Sequence, residues 1–348
     1  MSEPSRYPFC SESSLLVAAP EIDYFINEIK EKRFFSVVRL QIEWWRTARV
    51  GLERMARKCL QEKYRHPEGH WLEILIERMA GNEEEKAGFL DEWSDEFLMA
   101  WQSKVSSSRG WTFEKFVIRG ILSMICSDRP SNFHFSISDR ANYCGEYPQP
   151  CGWNSEWVEQ VVATASSSVE DLWLATVWRR YSLLGHMTRL FDELSDSKFV
   201  VIGPYFFHNF GKKLGLQDYT HTQIHHLHAS RHIRDTFELV QSEHESHLKN
   251  HDRVIYLLSG GSPAIWLVNE LHGTLENAVM IDVGRALDYF YRNDPLMKRV
   301  PKWMRGSWMY SKTSNTTPAD ESITTMSRKQ KIRRKKAKSR KKKTKRPR

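Results

Sequence analysis

Four charged residues and four glycines carry the chemistry of this sequence: Arg39, Glu43, Asp282 and Asp288, with Gly203, Gly260, Gly261 and Gly284. The glycines follow short apolar runs rich in β-branched residues, KFVVI, VIYLL and AVMIDV. Backbone N–H groups at such turns can approach an anion with no side chain in the way, although an ordinary strand-ending turn uses glycine too. Arg39, at the end of FFSVVRL, suits the same anion or a pairing with a surface acid. Glu43 offers oxygen to a hard divalent ion, or is a solvated residue at a helix start, where the macrodipole favours it. Asp282 lies between Ile281 and Val283, where an ionised carboxylate is costly unless paired or used. Asp288 follows shortly after, either as a general base facing the same crevice or as a cap.

Those residues need a scaffold, and the run from Val254 to Asp288 reads as one. Two β-branched segments flank Ala264 to Leu271, whose apolar residues recur at helical spacing and close at Gly273. Strand, glycine turn, helix, strand is the βαβ unit of a parallel sheet, which takes ligands at the carboxyl ends of its strands. Lys198 to Gly203 adds a further strand, and Phe34 to Leu40 another. Glu21 to Lys32 is expected to be a helix, with Ile22, Phe25, Ile26 and Ile29 on one face. The stretch 46–195 is mainly helical by periodicity and reads as an insertion. The expected class is α/β: a Rossmann-like parallel sheet core with a large helical insertion and a disordered basic C-terminal tail. Residues 1–18 are expected to be flexible, 19–310 to form the α/β domain, 311–326 a Ser/Thr-rich linker and 327–348 the tail.

Charge is segregated. Of 52 Lys and Arg residues, 15 fall between Arg328 and Arg348 with no acid among them, leaving 37 against 43 acidic residues elsewhere. The basic balance therefore describes the tail and not a basic globular face. Such a segment cannot fold alone and binds polyanions by counterion release, so nucleic acid is its expected partner. An import signal or a solvating tail would share that composition. Five cysteines, odd in number and with no CxxC pair, fit a reducing compartment. No secretory signal opens the chain and no apolar run approaches a membrane span, so a cytoplasmic location is expected, or a nuclear one if the tail is an import signal. Eight of the 14 histidines fall between His221 and His251, several at i,i+4 spacing. That spacing suits zinc, but without HExxH or a nearby cysteine a polar, partly exposed helix is the simpler reading.

The order of elements resembles the D-type fold glycosyltransferases, a nucleotide-sugar-dependent family. Arg33 to Trp44, RFFSVVRLQIEW, is similar to that family's opening strand, which continues into an Asp-Gly-Glu motif; here Gln41-Ile42-Glu43 stands in that place. Val200 to Pro204, Val254 to Leu271 and Ile281 to Asp288 resemble its later segments in order. The resemblance implies transfer of a sugar from a nucleotide-sugar donor to a hydroxyl. It places Arg39 and the four glycines on the diphosphate and Glu43 on a divalent metal, Mg or Mn. Asp282 and Asp288 become candidates for the acceptor base, beside Glu43. Combined with the tail, it points to a phage-type DNA base glycosyltransferase acting on a hydroxymethylated pyrimidine. A glycan or protein acceptor, and a non-enzymatic nucleic-acid-binding protein on a degenerate transferase fold, stay open. The motif's missing aspartate bears on the last.

Overall fold

The computed structural model describes residues 6–8, 16–40, 42–60, 71–104, 113–127, 130–137, 172–175, 177–203, 207–208, 210–214, 216, 218–224 and 232–287. Its strands are β1 (Arg6–Pro8), β2 (Leu16–Ala18), β3 (Ser36–Leu40), β4 (Phe133–Ile137), β5 (Leu172–Leu174), β6 (Lys198–Gly203), β7 (Tyr219–Gln223), β8 (Val254–Leu258) and β9 (Ala278–Asp282). Its helices are α1 (Ile22–Lys30), α2 (Ile42–Leu60), α3 (Trp71–Met79), α4 (Glu83–Lys104), α5 (Lys115–Ile125), α6 (Val177–Leu184), α7 (His186–Glu193), α8 (Phe210–Leu214), α9 (Ile233–Leu248) and α10 (Ser262–Leu271). A 3-10 turn, Gly284–Leu287, follows β9.

The strands form one sheet in the order β1-β2-β5-β4-β3-β9-β8-β6-β7. Every pairing except β1 with β2 is parallel. The fold is α/β, as the glycine-punctuated runs imply. Strands β6, β8 and β9 are buried along their whole length, as strands covered on both faces must be. Helix α1 buries Ile22, Phe25, Ile26 and Ile29, the one-sided spacing of a helix laid on a sheet.

From β2, β5 and β6 the chain steps one way along the sheet, and from β3, β4, β7 and β8 it steps the other way. Right-handed crossovers send the two sets of connections to opposite faces. The packing agrees: α10 lies against α5, α9 and β3, whereas α1 meets α7 and α6 meets the 3-10 turn. Between β8 and β6 the outgoing connections diverge. That seam is where a doubly wound sheet opens a ligand crevice at its carboxyl edge.

Two expectations change. Residues 1–18 were expected to be flexible, yet they supply β1 and β2; the apolar Leu16-Val17-Ala18 pairs onto β5, with Ala18 opposite Trp173. The stretch 46–195 carries helices as expected, and also β4 and β5, which extend the sheet beyond β3. Three residues, Leu172-Trp173-Leu174, are too few to show a period in the sequence. The linker 311–326 and the tail 327–348 lie outside the described residues. Among the described residues no helix is long and apolar enough to cross a membrane.

The amino edge of the sheet is closed by polar contacts. Lys198 pairs with Asp218, which also takes His251 Nε2 at 2.5 Å. Arg253 donates to the Ile29 carbonyl at 2.9 Å, to Ser197 Oγ at 2.7 Å and to Asp196 at 3.0 Å. Buried His244 engages both ring nitrogens, with Tyr256 Oη at 2.8 Å and the Glu276 carbonyl at 2.6 Å.

Helix α10 sets the geometry of the opposite edge, and Gly120 sets α10. A Cβ on Gly120 would stand 2.5 Å from Trp266 Cδ1. Gly120→Leu should therefore lower stability by about 1–3 kcal/mol through overpacking between α5 and α10. Urea unfolding at constant m-value measures it, and an unchanged midpoint would show that the two helices do not depend on that close approach.

Candidate functional site

The carboxyl edge of the sheet gathers most of the predicted residues. Strands β3 and β9 pair at Ser36 with Met280 and Val37 with Ile281. The ladder ends there, and Arg39 and Asp282 lie just past it on adjacent strands. Asp282 has no exposed surface. One carboxyl oxygen accepts the Gly284 N–H at 2.9 Å. The other oxygen has no hydrogen-bond partner. Burial pushes the Asp282 carboxyl up to about 6, against the lowering pull of the Arg39 guanidinium and of the nearby backbone N–H groups of Gly284 and Arg39.

Gly284 is bound into this arrangement. Its φ of +52° lies in the left-handed region. A Cβ there would fall 1.9 Å from Arg39 Nη2 and 2.0 Å from Cζ. The guanidinium thus occupies the space a side chain would fill. Its Nε is buried without a partner, and the guanidinium makes no ion pair with the described residues. The Gly284 N–H, expected on a phosphate, is engaged by Asp282 instead.

The other glycines lie at the ends of β6 and β8, on the divergent seam. A Cβ on Gly203 would meet the Phe207 ring at 2.8 Å, and one on Gly260 would meet Ile224 Cδ1 at 2.8 Å, so both glycines have a packing reason, the stiffer one at Gly203. Gly261 differs: φ is +69°, and nothing stands within 4 Å of its Cβ direction. It precedes α10, whose first turn carries Pro263 and has no side-chain cap. Pro263 has no N–H and the Ala264 N–H already bonds the Gly261 carbonyl at 3.0 Å, so this start offers the N–H groups of Gly261 and Ser262 and the positive end of the macrodipole. His221 on β7, noted in the sequence only as one of a histidine cluster, joins this edge through its Nε2, 3.1 Å from the Gly203 carbonyl. The Thr-His-Thr alternation around it is the strand signal that could have placed it there.

Glu43 is the second residue of α2, directly beyond β3; its side chain lies outside the described residues, as does Asp288. Among the described residues no group of three or more His, Cys, Asp or Glu side chains is gathered for a metal. The carboxylate described at this edge, that of Asp282, is sealed near a guanidinium and bonded to the Gly284 N–H, which is not a donor set for a hard cation.

No protein-family model and no curated protein matches the sequence. Two solved structures align with it. One is a selenomethionine-substituted domain of unknown function 1792, 13% identical with a TM-score of 0.37. The other is a domain of unknown function 1792 described as having a distinct glycosyltransferase fold, 12% identical with a TM-score of 0.37. Each alignment covers 75% of this chain and 76% of the other. At that TM-score the likeness carries no argument about activity.

The Asp282 environment gives a pH test. Because the folded carboxyl titrates higher than the unfolded one, the native state holds the extra proton, and stability falls as pH rises from about 4 through about 6 before levelling. Asp282→Asn lacks this titration. Relative to wild type it should gain roughly 2–3 kcal/mol between about pH 4 and pH 7 by urea unfolding. A pH-independent difference would show that the buried carboxyl titrates normally.

Proposed function

We propose that this protein transfers a glycosyl group from a nucleotide-sugar donor to a hydroxyl acceptor, the acceptor being a hydroxymethylated pyrimidine in DNA. One observation carries the reading. The Arg39 guanidinium, unpaired among the described residues, follows β3, and the uncapped start of α10 after Gly261 follows β8 at the divergent seam, both on one carboxyl edge. These are two positive features for the two phosphates of one donor. The resemblance of Arg33–Trp44 and Val254–Asp288 to D-type glycosyltransferases supplies the reaction class.

In this reading the acceptor oxygen attacks the anomeric carbon, and that carbon's bond to the diphosphate breaks. The nucleoside diphosphate departs with the electron pair. Arg39 and the helix start stabilise the charge that develops on it. The hydroxyl proton passes to a carboxylate, for which Asp288 and Glu43 are the proposed groups. Glu43 is also the proposed ligand of a divalent ion (Mg or Mn), which would add further positive charge at the diphosphate. The tail, 327–348, would hold duplex DNA through its phosphates without reading sequence, and a flipped base would bring its hydroxyl to the donor.

The decisive experiment incubates the full chain with a panel of labelled nucleotide sugars and with DNA that carries or lacks hydroxymethylated pyrimidines. Label entering the modified duplex is the expected result. Donor turnover on glycan or protein but not on DNA would move the acceptor. Absence of donor binding and turnover throughout would favour the non-enzymatic reading, for which Gln41-Ile42-Glu43 in place of Asp-Gly-Glu is the supporting feature.

Two variants refine this. Glu43→Gln should fold normally by circular dichroism and turn over about tenfold more slowly or worse, through loss of a catalytic or metal-binding carboxylate. Unchanged kinetics at saturating donor would remove Glu43 from the site. Ending the chain at Met326 removes 15 positive charges. It should raise KM for long DNA with little change in kcat, since a remote tether contributes equally to ground and transition states. The salt dependence of DNA binding should flatten with it, and an untouched salt slope would show that the tail is not the anchor.

A further inference from the structure

We infer that Asp282 is a positioning residue: its carboxylate holds the Gly284 turn through that residue's N–H, and so shapes the glycine surface that seats the Arg39 guanidinium as the anion-binding group of this edge. The ligand class rests on the proposed function; the positioning does not.

Three observations support it. First, Asp282 has no exposed surface, so its oxygens do not reach a bound acceptor as the structure stands. A carboxylate in such a place acts through its neighbours. Second, its hydrogen-bonded neighbour is the Gly284 N–H, at 2.9 Å, in the turn after β9, and the Arg39 guanidinium of β3 lies near enough to pull its carboxyl down. Arg39 and Gly284 both lie past the last β3–β9 ladder pair, Val37 with Ile281. Third, the guanidinium lies in the space left by the missing Cβ of Gly284, whose φ of +52° also favours glycine. Arg39 is thereby held against the Gly284 backbone, its Nε unpartnered, and the nearby Asp282 carboxylate makes no hydrogen bond to the guanidinium. A fixed fork whose donors are not taken by a carboxylate is preorganised for an external anion, and its planar geometry suits a phosphate or diphosphate.

The acceptor role and the charge of Asp282 can be separated, because asparagine keeps a carbonyl oxygen for the Gly284 N–H and loses the charge. The test uses the full chain as wild type and as Asp282→Asn, Asp282→Ala, Gly284→Ala and Arg39→Ala, each checked by circular dichroism. Positioning is read without any ligand, from the rate at which phenylglyoxal modifies Arg39, followed by peptide mass spectrometry. Release of the guanidinium should speed labelling about fivefold or more in Asp282→Ala and Gly284→Ala, while Asp282→Asn stays near wild type. Equal rates in all variants would overturn the inference, and so would an asparagine variant as reactive as the alanine one. If Asp282→Ala does not fold, Gly284→Ala and the asparagine rescue decide it.

Calorimetry with inorganic pyrophosphate then reads the ligand. Binding should weaken about tenfold or more in Arg39→Ala, Asp282→Ala and Gly284→Ala, and hold in Asp282→Asn. If wild type binds no pyrophosphate, the diphosphate reading fails while the labelling pattern still decides the positioning. If Asp282→Asn keeps normal labelling and pyrophosphate binding but loses sugar transfer, Asp282 takes part in the chemistry itself and the positioning role is overturned.

Discussion

The parallel seam between β3 and β9 joins the two halves of the sheet. Strand β9 pairs with β8 over five residues, Ala278 to Asp282, but with β3 at only two register positions. Everything on one side, from β3 through β4 and β5 to the amino-terminal hairpin, is tied to the other side through that short ladder and the helices packed across it. Helix α10 reinforces it by lying against both β9 and β3. Ser36 Oγ adds a 2.8 Å hydrogen bond to His272 Nδ1, just past the end of α10. Just past the ladder, the Asp282 carboxylate fixes the Gly284 turn through one hydrogen bond.

The two edges of the sheet treat charge oppositely. At the amino edge Lys198, Arg253 and His251 meet carboxylates or carbonyls, the ordinary requirement for buried charge. At the carboxyl edge one Asp282 oxygen and Arg39 Nε are buried without partners. Each such group costs on the order of 1–3 kcal/mol, more when charged, and the continuous apolar core beneath them offsets it. That asymmetry distinguishes the carboxyl edge from the amino edge, independently of any sequence motif.

Much of this was legible in the sequence, and the limits have physical causes. Strands β6, β8 and β9 and helix α10 announced themselves because buried parallel strands are continuous apolar runs, and glycines mark their ends. Arg39, Asp282 and Gly284 were each visible as residues of interest. Their mutual arrangement was not, because residues 39 and 284 meet only through strand order, which no local pattern encodes. Gly203 and Gly260 looked like phosphate turns but also have a packing reason in Phe207 and Ile224. Strands β5 and β7 escaped notice through shortness in one case and a histidine-rich polar sequence in the other. Asp282 illustrates a further limit: the sequence shows that a carboxylate lies in a strand, but its complete burial emerges only with the packing.

The two lateral borders of the sheet have different consequences for association between molecules. On one side β1 turns back antiparallel onto β2, a reversal that ends the parallel run. On the other, β7 pairs with β6 and, among the described residues, leaves its second side without a strand. A bare border of this kind is a template for another molecule's strand. Its sequence, Tyr-Thr-His-Thr-Gln, is short and polar, with Tyr219, Thr220 and His221 half-buried and Gln223 exposed. Intermolecular strand addition there would gain backbone hydrogen bonds but little apolar contact, so the border resists self-assembly by composition while the sheet interior is held by burial.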